Sequence, residues 1–354
     1  MNDPSHLAAT LALILLVLVL MALCNTYLTR RTEREHPARG LFVMVGGVRL
    51  HYLDVGQGPP VVLLHGNLVT AEDYLQSGVL ERIAERHRVI AFDRPGYGYS
   101  DRPYGVLWSA ARQAELLHQA LVQIGVVRPV VVGHSWGTLV ALKMALNHQE
   151  DVAGLVLLAG YYTPTPRLDV LLATPPAIPL IGGLLRHTLS PLMGWALLPL
   201  TLKAMFSPLA VSPRLKRGYP YFFLVRPSQI RAESQDGAIM VPTVMRMHDR
   251  YRELRLPIFV MAGTEDKVVS HKRHAVWFHE QLPASHLQLV PGAGHMVHYA
   301  APERVAEAVE RIEAEAPVGT RVTLEAEARP GMAPRPTGER EPLARPAPPG
   351  RDRA

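Results

Sequence analysis

Apolar and polar positions divide the chain into four regimes. From Leu7 to Leu28 no residue is charged, and Leu11 through Leu23 is aliphatic apart from Met21. About 20 such residues match the hydrocarbon core of a bilayer. From about residue 42 to 160, short apolar runs alternate with segments of helical period. Val48–Val55 alternates, which predicts a strand with one wet face. Pro60–Leu64, Arg88–Phe92, Pro129–Val132 and Val152–Ala159 predict buried strands. Helices are predicted over about Ala71–Arg86 and Leu107–Ile124, and from Thr138 onward. The rhythm stops near Gly160 and resumes at Pro257–Gly263. A helix near His271–Leu282, a strand His286–Val290 and a helix from Pro302 to about Glu313 complete it.

Strand–helix alternation of this kind predicts a mostly parallel central sheet with helices on both faces. The interruption, about 161–252, is too long for a loop and predicts an inserted helical cap. From Pro317 the chain is rich in Pro, Arg, Ala and Glu, with little apolar surface to bury, and predicts a disordered tail. A Pro-rich partner ligand is the functional alternative for that tail. The expected order is an N-terminal segment 1–6, a transmembrane anchor 7–28, a basic juxtamembrane linker 29–41, an α/β domain 42–316 and the tail 317–354. No internal repeat is visible.

Charge refines this picture in two ways. The 354 residues carry a formal net charge of +6, but the basic residues are scattered and no aromatic–basic stripe appears. Nucleic acid is therefore excluded as a partner, and the charge is read as solubility plus attraction to a membrane surface. A cleaved signal peptide is the rival reading of the apolar run. It wants a basic n-region, and Met1–His6 has no Lys or Arg. Arg30, Arg31, Arg34 and Arg39 follow the run against Glu33 and Glu35, which by the positive-inside rule places the body of the chain in the cytoplasm. The single cysteine, Cys24, excludes a disulfide framework and a thiolate metal site.

The candidate chemistry begins at Gly133-His134-Ser135-Trp136-Gly137, between a predicted strand and a predicted helix. A serine on such a turn projects its hydroxyl away from the backbone. Alone the pattern is weak, since it arises by chance in roughly one chain in ten of this length. A serine hydroxyl needs a base to take its proton, and the base needs a carboxylate to hold its tautomer. In open parallel sheets such groups sit on loops at the carboxyl ends of strands. Two later strand ends carry them in the order acid then histidine: Gly263-Thr264-Glu265-Asp266 and Gly292-Ala293-Gly294-His295. Ser135 is the expected nucleophile, His295 the general base and later acid, and Asp266 the orienting acid. Glu265 competes for the last role.

With these residues in place, the chain resembles the α/β-hydrolase fold family over about 42–314, in its serine-nucleophile branch. His65-Gly66-Asn67 and Phe92-Asp93-Arg94-Pro95-Gly96-Tyr97-Gly98-Tyr99-Ser100 extend the likeness. The resemblance implies an oxyanion hole made by the backbone N–H groups of Asn67 and Trp136, with Leu68 as an alternative donor. Asp93-Arg94-Pro95-Gly96 is similar to a turn of epoxide hydrolases, haloalkane dehalogenases and cofactor-free perhydrolases. Asn67 and Trp136 resemble the halide-holding pair of the dehalogenases. Dehalogenases and epoxide hydrolases need an aspartate nucleophile, so Ser135 excludes both activities. Asp93 is read as a structural turn residue.

Leu171–Ile181 and Leu192–Leu200 make the cap unusually apolar, yet prolines and Arg186-His187 interrupt them, so neither reads as a spanning helix. Core packing, an apolar substrate pocket and contact with a bilayer surface are the three readings. His271, His274 and His279 lack carboxylate or cysteine partners at ligand spacing and read as a solvated helix face, so no metal and no cofactor is expected. The expected activity is membrane-anchored hydrolysis of carboxylic esters, with a small-molecule ester or lipid as substrate. C–C bond or amide hydrolysis on the same triad, and a non-catalytic binding scaffold, are the alternatives.

Overall fold

The structure, a computed structural model, describes residues 4–316. The predicted tail lies outside the described residues.

Eight strands form one sheet: β1 Leu41–Val45, β2 Val48–Val55, β3 Pro60–Leu64, β4 Arg88–Phe92, β5 Val130–His134, β6 Gly154–Leu158, β7 Ile258–Gly263 and β8 His286–Val290. Their spatial order is β1-β2-β4-β3-β5-β6-β7-β8. The pairs β1–β2 and β2–β4 are antiparallel, and all others are parallel. This is the α/β-hydrolase fold.

Side-chain alternation explains why the central strands read as unbroken apolar runs. Val62 and Leu64 of β3 and Ile90 and Phe92 of β4 point to one face, against Leu117 and Leu139. Val61, Leu63, Val89 and Ala91 point to the other, against Val79, Ile83, Val305 and Ile312. Both faces are covered, so every position is apolar.

Helix α1 Pro4–Glu35 precedes the sheet, and the covering helices ahead of the cap are α2 Glu72–Ser77, α3 Val79–Ala84, α4 Ala110–Gln123 and α5 Gly137–Asn147. Between β6 and β7 lie the cap helices α6 Leu168–Leu172, α7 Ile181–His187, α8 Leu189–Phe206, α9 Pro213–Gly218 and α10 Pro227–Met247. The chain closes with α11 Trp277–Gln281, α12 Val297–Ala300 and α13 Pro302–Glu315.

Several expectations are corrected. The helix expected over 71–86 is two, divided at Gly78, whose φ of 83° ends α2. Strand β2 has no wet face at its centre: His51, Tyr52 and Leu53 are all buried. Its outer neighbour β1 was not anticipated. The second apolar cap run, Leu192–Leu200, expected to be broken at its proline, lies within one helix, α8, which continues through Pro199. The first, Leu171–Ile181, is interrupted at Pro175 and Pro176 as expected. His274 is no surface residue. It is buried on a wide turn preceding α11, and its Nδ1 accepts the Tyr162 N–H at 3.1 Å. Burial lowers it to about 4, consistent with a neutral acceptor.

Candidate active site

The site is built at the carboxyl ends of β3, β4, β5, β7 and β8. Ser135 follows β5 and has φ of 50°, a left-handed conformation that costs a non-glycine residue roughly 1–2 kcal/mol. The turn is over-determined by its neighbours. The Ser135 N–H donates to the Leu158 carbonyl at 2.8 Å, and the Ser135 carbonyl accepts from the Thr138 hydroxyl at 2.6 Å. Such strain on a half-buried serine keeps the hydroxyl presented.

His295 lies on the loop after β8. Its Nε2 is 3.0 Å from Ser135 Oγ, and its Nδ1 is 2.8 Å from Asp266 Oδ2. The other Asp266 oxygen accepts the Val268 and Val269 N–H groups, each at 2.8 Å. Asp266 and His295 are buried, whereas Glu265 is exposed. The structure thus brings together Ser135, His295 and Asp266 and leaves Glu265 outside.

Asn67 and Trp136 flank the serine on two loops. A Cβ at Gly137 would lie 2.2 Å from the Leu64 carbonyl oxygen, and one at Gly66 would lie 3.0 Å from Ser135 Cβ. Glycine at these two positions is what lets the 65–67 turn close over the elbow. The Leu68 N–H, the alternative oxyanion donor, is directed at the Glu233 carboxyl of α10.

The Asn67 and Trp136 side chains are both engaged. Asn67 Oδ1 accepts from Arg94 Nη2 at 2.9 Å and from the Tyr97 hydroxyl at 2.8 Å. The Trp136 indole donates to the Asp236 carbonyl at 3.1 Å.

Arg94 and Asp236 carry weight that sequence reading missed. Arg94 is fully buried and donates to the carbonyls of His65 (2.8 Å) and Gly66 (3.1 Å), clamping the turn. Its own N–H meets His65 Nε2 at 3.0 Å. Burial pushes His65 down to about 3, with the Arg94 charge acting in the same sense, so its ring is a neutral acceptor there. Asp236, from α10 of the cap, pairs with Arg94 at 2.7 Å and Arg102 at 2.9 Å. It also accepts from Gln113 and Tyr97. A lone acid in a cap helix has no local pattern that announces these partners. The Asp-Arg-Pro-Gly run was the available signal for Arg94.

Asp93 is a turn residue. Its carboxylate accepts the Ala71 and Tyr99 N–H groups and contacts His51 Nδ1 at 2.7 Å. Behind the elbow, Asp73, His134 and His298 gather potential metal ligands within 4.8 Å of one another. Asp73 is engaged by His298 Nε2 and the Tyr299 hydroxyl, and His134 Nε2 by the His295 carbonyl, while Nδ1 of His134 and of His298 is enclosed without a hydrogen-bond partner.

The cap also reaches the site through α8. The Met205 carbonyl accepts the His295 N–H at 3.1 Å, and Leu198, Leu202 and Met205 pack with Val69 and Met296. A groove of about 690 Å³ runs along α8, lined by Trp195, Leu198, Pro199 and Leu202, with Lys203 and Lys216 also on its wall.

Fold and site together define a hydrolase of the α/β class. Residues 61–308 match the model of the alpha/beta hydrolase family, and the chain belongs to that family. It is 29% identical over 306 residues to an uncharacterised protein of Mycobacterium tuberculosis, covering 80% of this chain and 85% of that one. It is also 33% identical over 127 residues to a 2-hydroxymuconate semialdehyde hydrolase of Pseudomonas putida, covering 36% and 45% of the two chains. Among solved structures it is similar to a meta-cleavage product hydrolase of Pseudomonas fluorescens (TM-score 0.62, 21% identity, 78% of this chain and 98% of that one). It is likewise similar to a bacterial membrane phospholipase A (TM-score 0.60, 21% identity, 87% and 96%).

Proposed function

We propose that the chain is a membrane-anchored serine hydrolase that cleaves carboxylic esters with apolar or lipid-like acyl groups. The observation that carries this reading is the continuous line Ser135 Oγ–His295 Nε2 and His295 Nδ1–Asp266 Oδ2, at 3.0 and 2.8 Å. His295 Nε2 takes the Ser135 proton as Oγ attacks the ester carbonyl. The negative charge on the tetrahedral oxygen is met by the backbone N–H groups of Asn67 and Trp136, each worth ~10²–10³ in rate. Collapse breaks the C–O bond, and His295 returns the proton to the leaving alkoxide. Water, activated by the same histidine, then releases the acid from Ser135. Asp266 holds the Nδ1–H tautomer throughout. No cofactor enters the scheme.

Helix α1 supports the membrane part. It is 32 residues long, and none of its most apolar window is buried. The packing of Leu198, Leu202 and Met205 of α8 with Met296, next to His295, supports an apolar acyl group. The N-terminal anchor, the 161–252 cap and the cytoplasmic orientation belong to this reading. A serine at position 135 cannot form the aspartyl ester that dehalogenation requires. The Trp136 indole, already donating to Asp236, is not free to hold a halide.

The semialdehyde hydrolase relative favours one second reading, hydrolysis of a C–C bond on the same three residues. A panel of p-nitrophenyl esters from acetyl to palmitoyl, with and without micelles, separates the two. Turnover that rises with acyl length supports the ester reading, with Asp266→Asn slowing it about 10⁴-fold and Glu265→Gln leaving it within twofold. Faster turnover of a vinylogous diketone than of any ester would reject it.

A further inference from the structure

The cap carries an apolar surface that the site does not use. Large apolar side chains recur exposed from Leu168 to Leu200; Leu172 is 80% exposed, Leu180 93%, Leu192 60% and Leu200 65%. Between Val170 and Leu202 the only formally charged residue is Arg186. That guanidinium is buried and donates to the Pro176 carbonyl, so it adds no charge to the surface. Helix α8 is apolar around its circumference, yet only 28% of its 18 residues are buried. A helix that is hydrophobic all round belongs in a core or in lipid, and an exposed apolar face of this extent marks an interaction surface.

The contacts of α1 identify what covers that surface. At 1.5 Å per residue α1 is about 48 Å long, more than the ~30 Å hydrocarbon core needs. Its uncharged run ends at Leu28, and Arg30, Arg31 and Arg34 follow. Near that end, Asn25 Nδ2 donates to the carbonyls of His187 (2.8 Å) and Thr188 (3.1 Å), the junction of α7 and α8. About two helical turns further along α1, Glu33 pairs with Arg226 at 2.8 Å. The α7–α8 junction is therefore fixed at the level where α1 leaves the hydrocarbon. Trp195, 52% exposed, is a side chain suited to a membrane interface.

We propose that the outward face of the cap, Leu171–Leu200, is seated in the same bilayer that α1 crosses. Helix α8 then joins lipid to chemistry. It begins after Thr188, held by Asn25, and near its other end the Met205 carbonyl holds the His295 N–H. An acyl chain leaving the bilayer reaches the catalytic loop along one apolar element.

The seating rests on the reading of α1 as an anchor, and the test separates the two. Single cysteines are introduced into the full chain after Cys24→Ser: Leu172→Cys, Leu192→Cys and Leu200→Cys in the cap. Leu15→Cys in α1 and Val122→Cys on exposed α4 serve as references. Each carries an environment-sensitive fluorophore in phosphatidylcholine–phosphatidylglycerol vesicles. Quenching by a shallow nitroxide lipid and by aqueous iodide is then read. The cap labels are expected to be quenched severalfold more by the nitroxide lipid than the Val122 label, and less by iodide. Cap labels that follow Val122 would overturn the seating by showing water there. Cap labels quenched by neither agent would overturn it by showing a second protein copy instead. If Leu15 shows lipid quenching and the cap does not, the anchor stands and the seating falls. If Leu15 shows none, the anchor reading itself falls.

Discussion

Glu233 of α10 faces the Leu68 N–H with its Oε1 enclosed and without a hydrogen-bond partner. Burial raises its carboxyl to about 8. Between pH 4.5 and 8 the folded chain therefore holds a proton that the unfolded chain releases. Stability from this group is complete below pH 4.5 and is lost as pH rises toward 8. Glu233→Gln keeps the shape without the titration. Its thermal midpoint is expected to exceed that of the parent by an amount that grows across this window; a constant offset would contradict the assignment. His65 and His274 act in the opposite sense. Held down at about 3 and about 4, they stay neutral in the fold and remove stability as pH falls below 6.5.

Among elements, the join between cap and sheet is electrostatic where it meets the nucleophile elbow. Asp236 on α10 is fully buried between Arg94 and Arg102. Removing it by Asp236→Ala leaves two buried guanidinium groups without their counter-charge, which costs about 3–5 kcal/mol. The exposed pair Arg214–Glu81 is a control, and Glu81→Ala should cost less than ~1 kcal/mol. Urea denaturation measures both; equal effects would show that the Asp236 network does not hold the cap. This junction also marks how far the sequence could be read. Strands β3 and β4 were legible to the residue because a strand covered on both faces reads as an apolar run. Ser135, Asp266 and His295 were legible because each falls at a strand end in the expected order. Asp236 and Arg94 meet across 142 residues, and no local period encodes such a pair. The same holds for His274, whose burial depends on the Tyr162 and Thr163 N–H groups arriving from another loop.

At the scale of the whole molecule, α1 is clasped to the body. Asn25 meets the α7–α8 junction, Glu33 meets Arg226, and the His36 carbonyl accepts the Tyr99 hydroxyl. Those contacts fix the height of the loops that carry Ser135 and His295 relative to the apolar helix, while α8 links the same corner to His295. Everything in this arrangement converges on one oxygen, Ser135 Oγ, and its activation is the central claim. The most direct measurement is covalent labelling of the full chain in vesicles by a fluorophosphonate, followed by mass spectrometry of the modified peptide. The account predicts one adduct on Ser135, absent in Ser135→Ala and strongly slowed in His295→Ala. A folded chain that takes no label, or takes it at another residue, would contradict it.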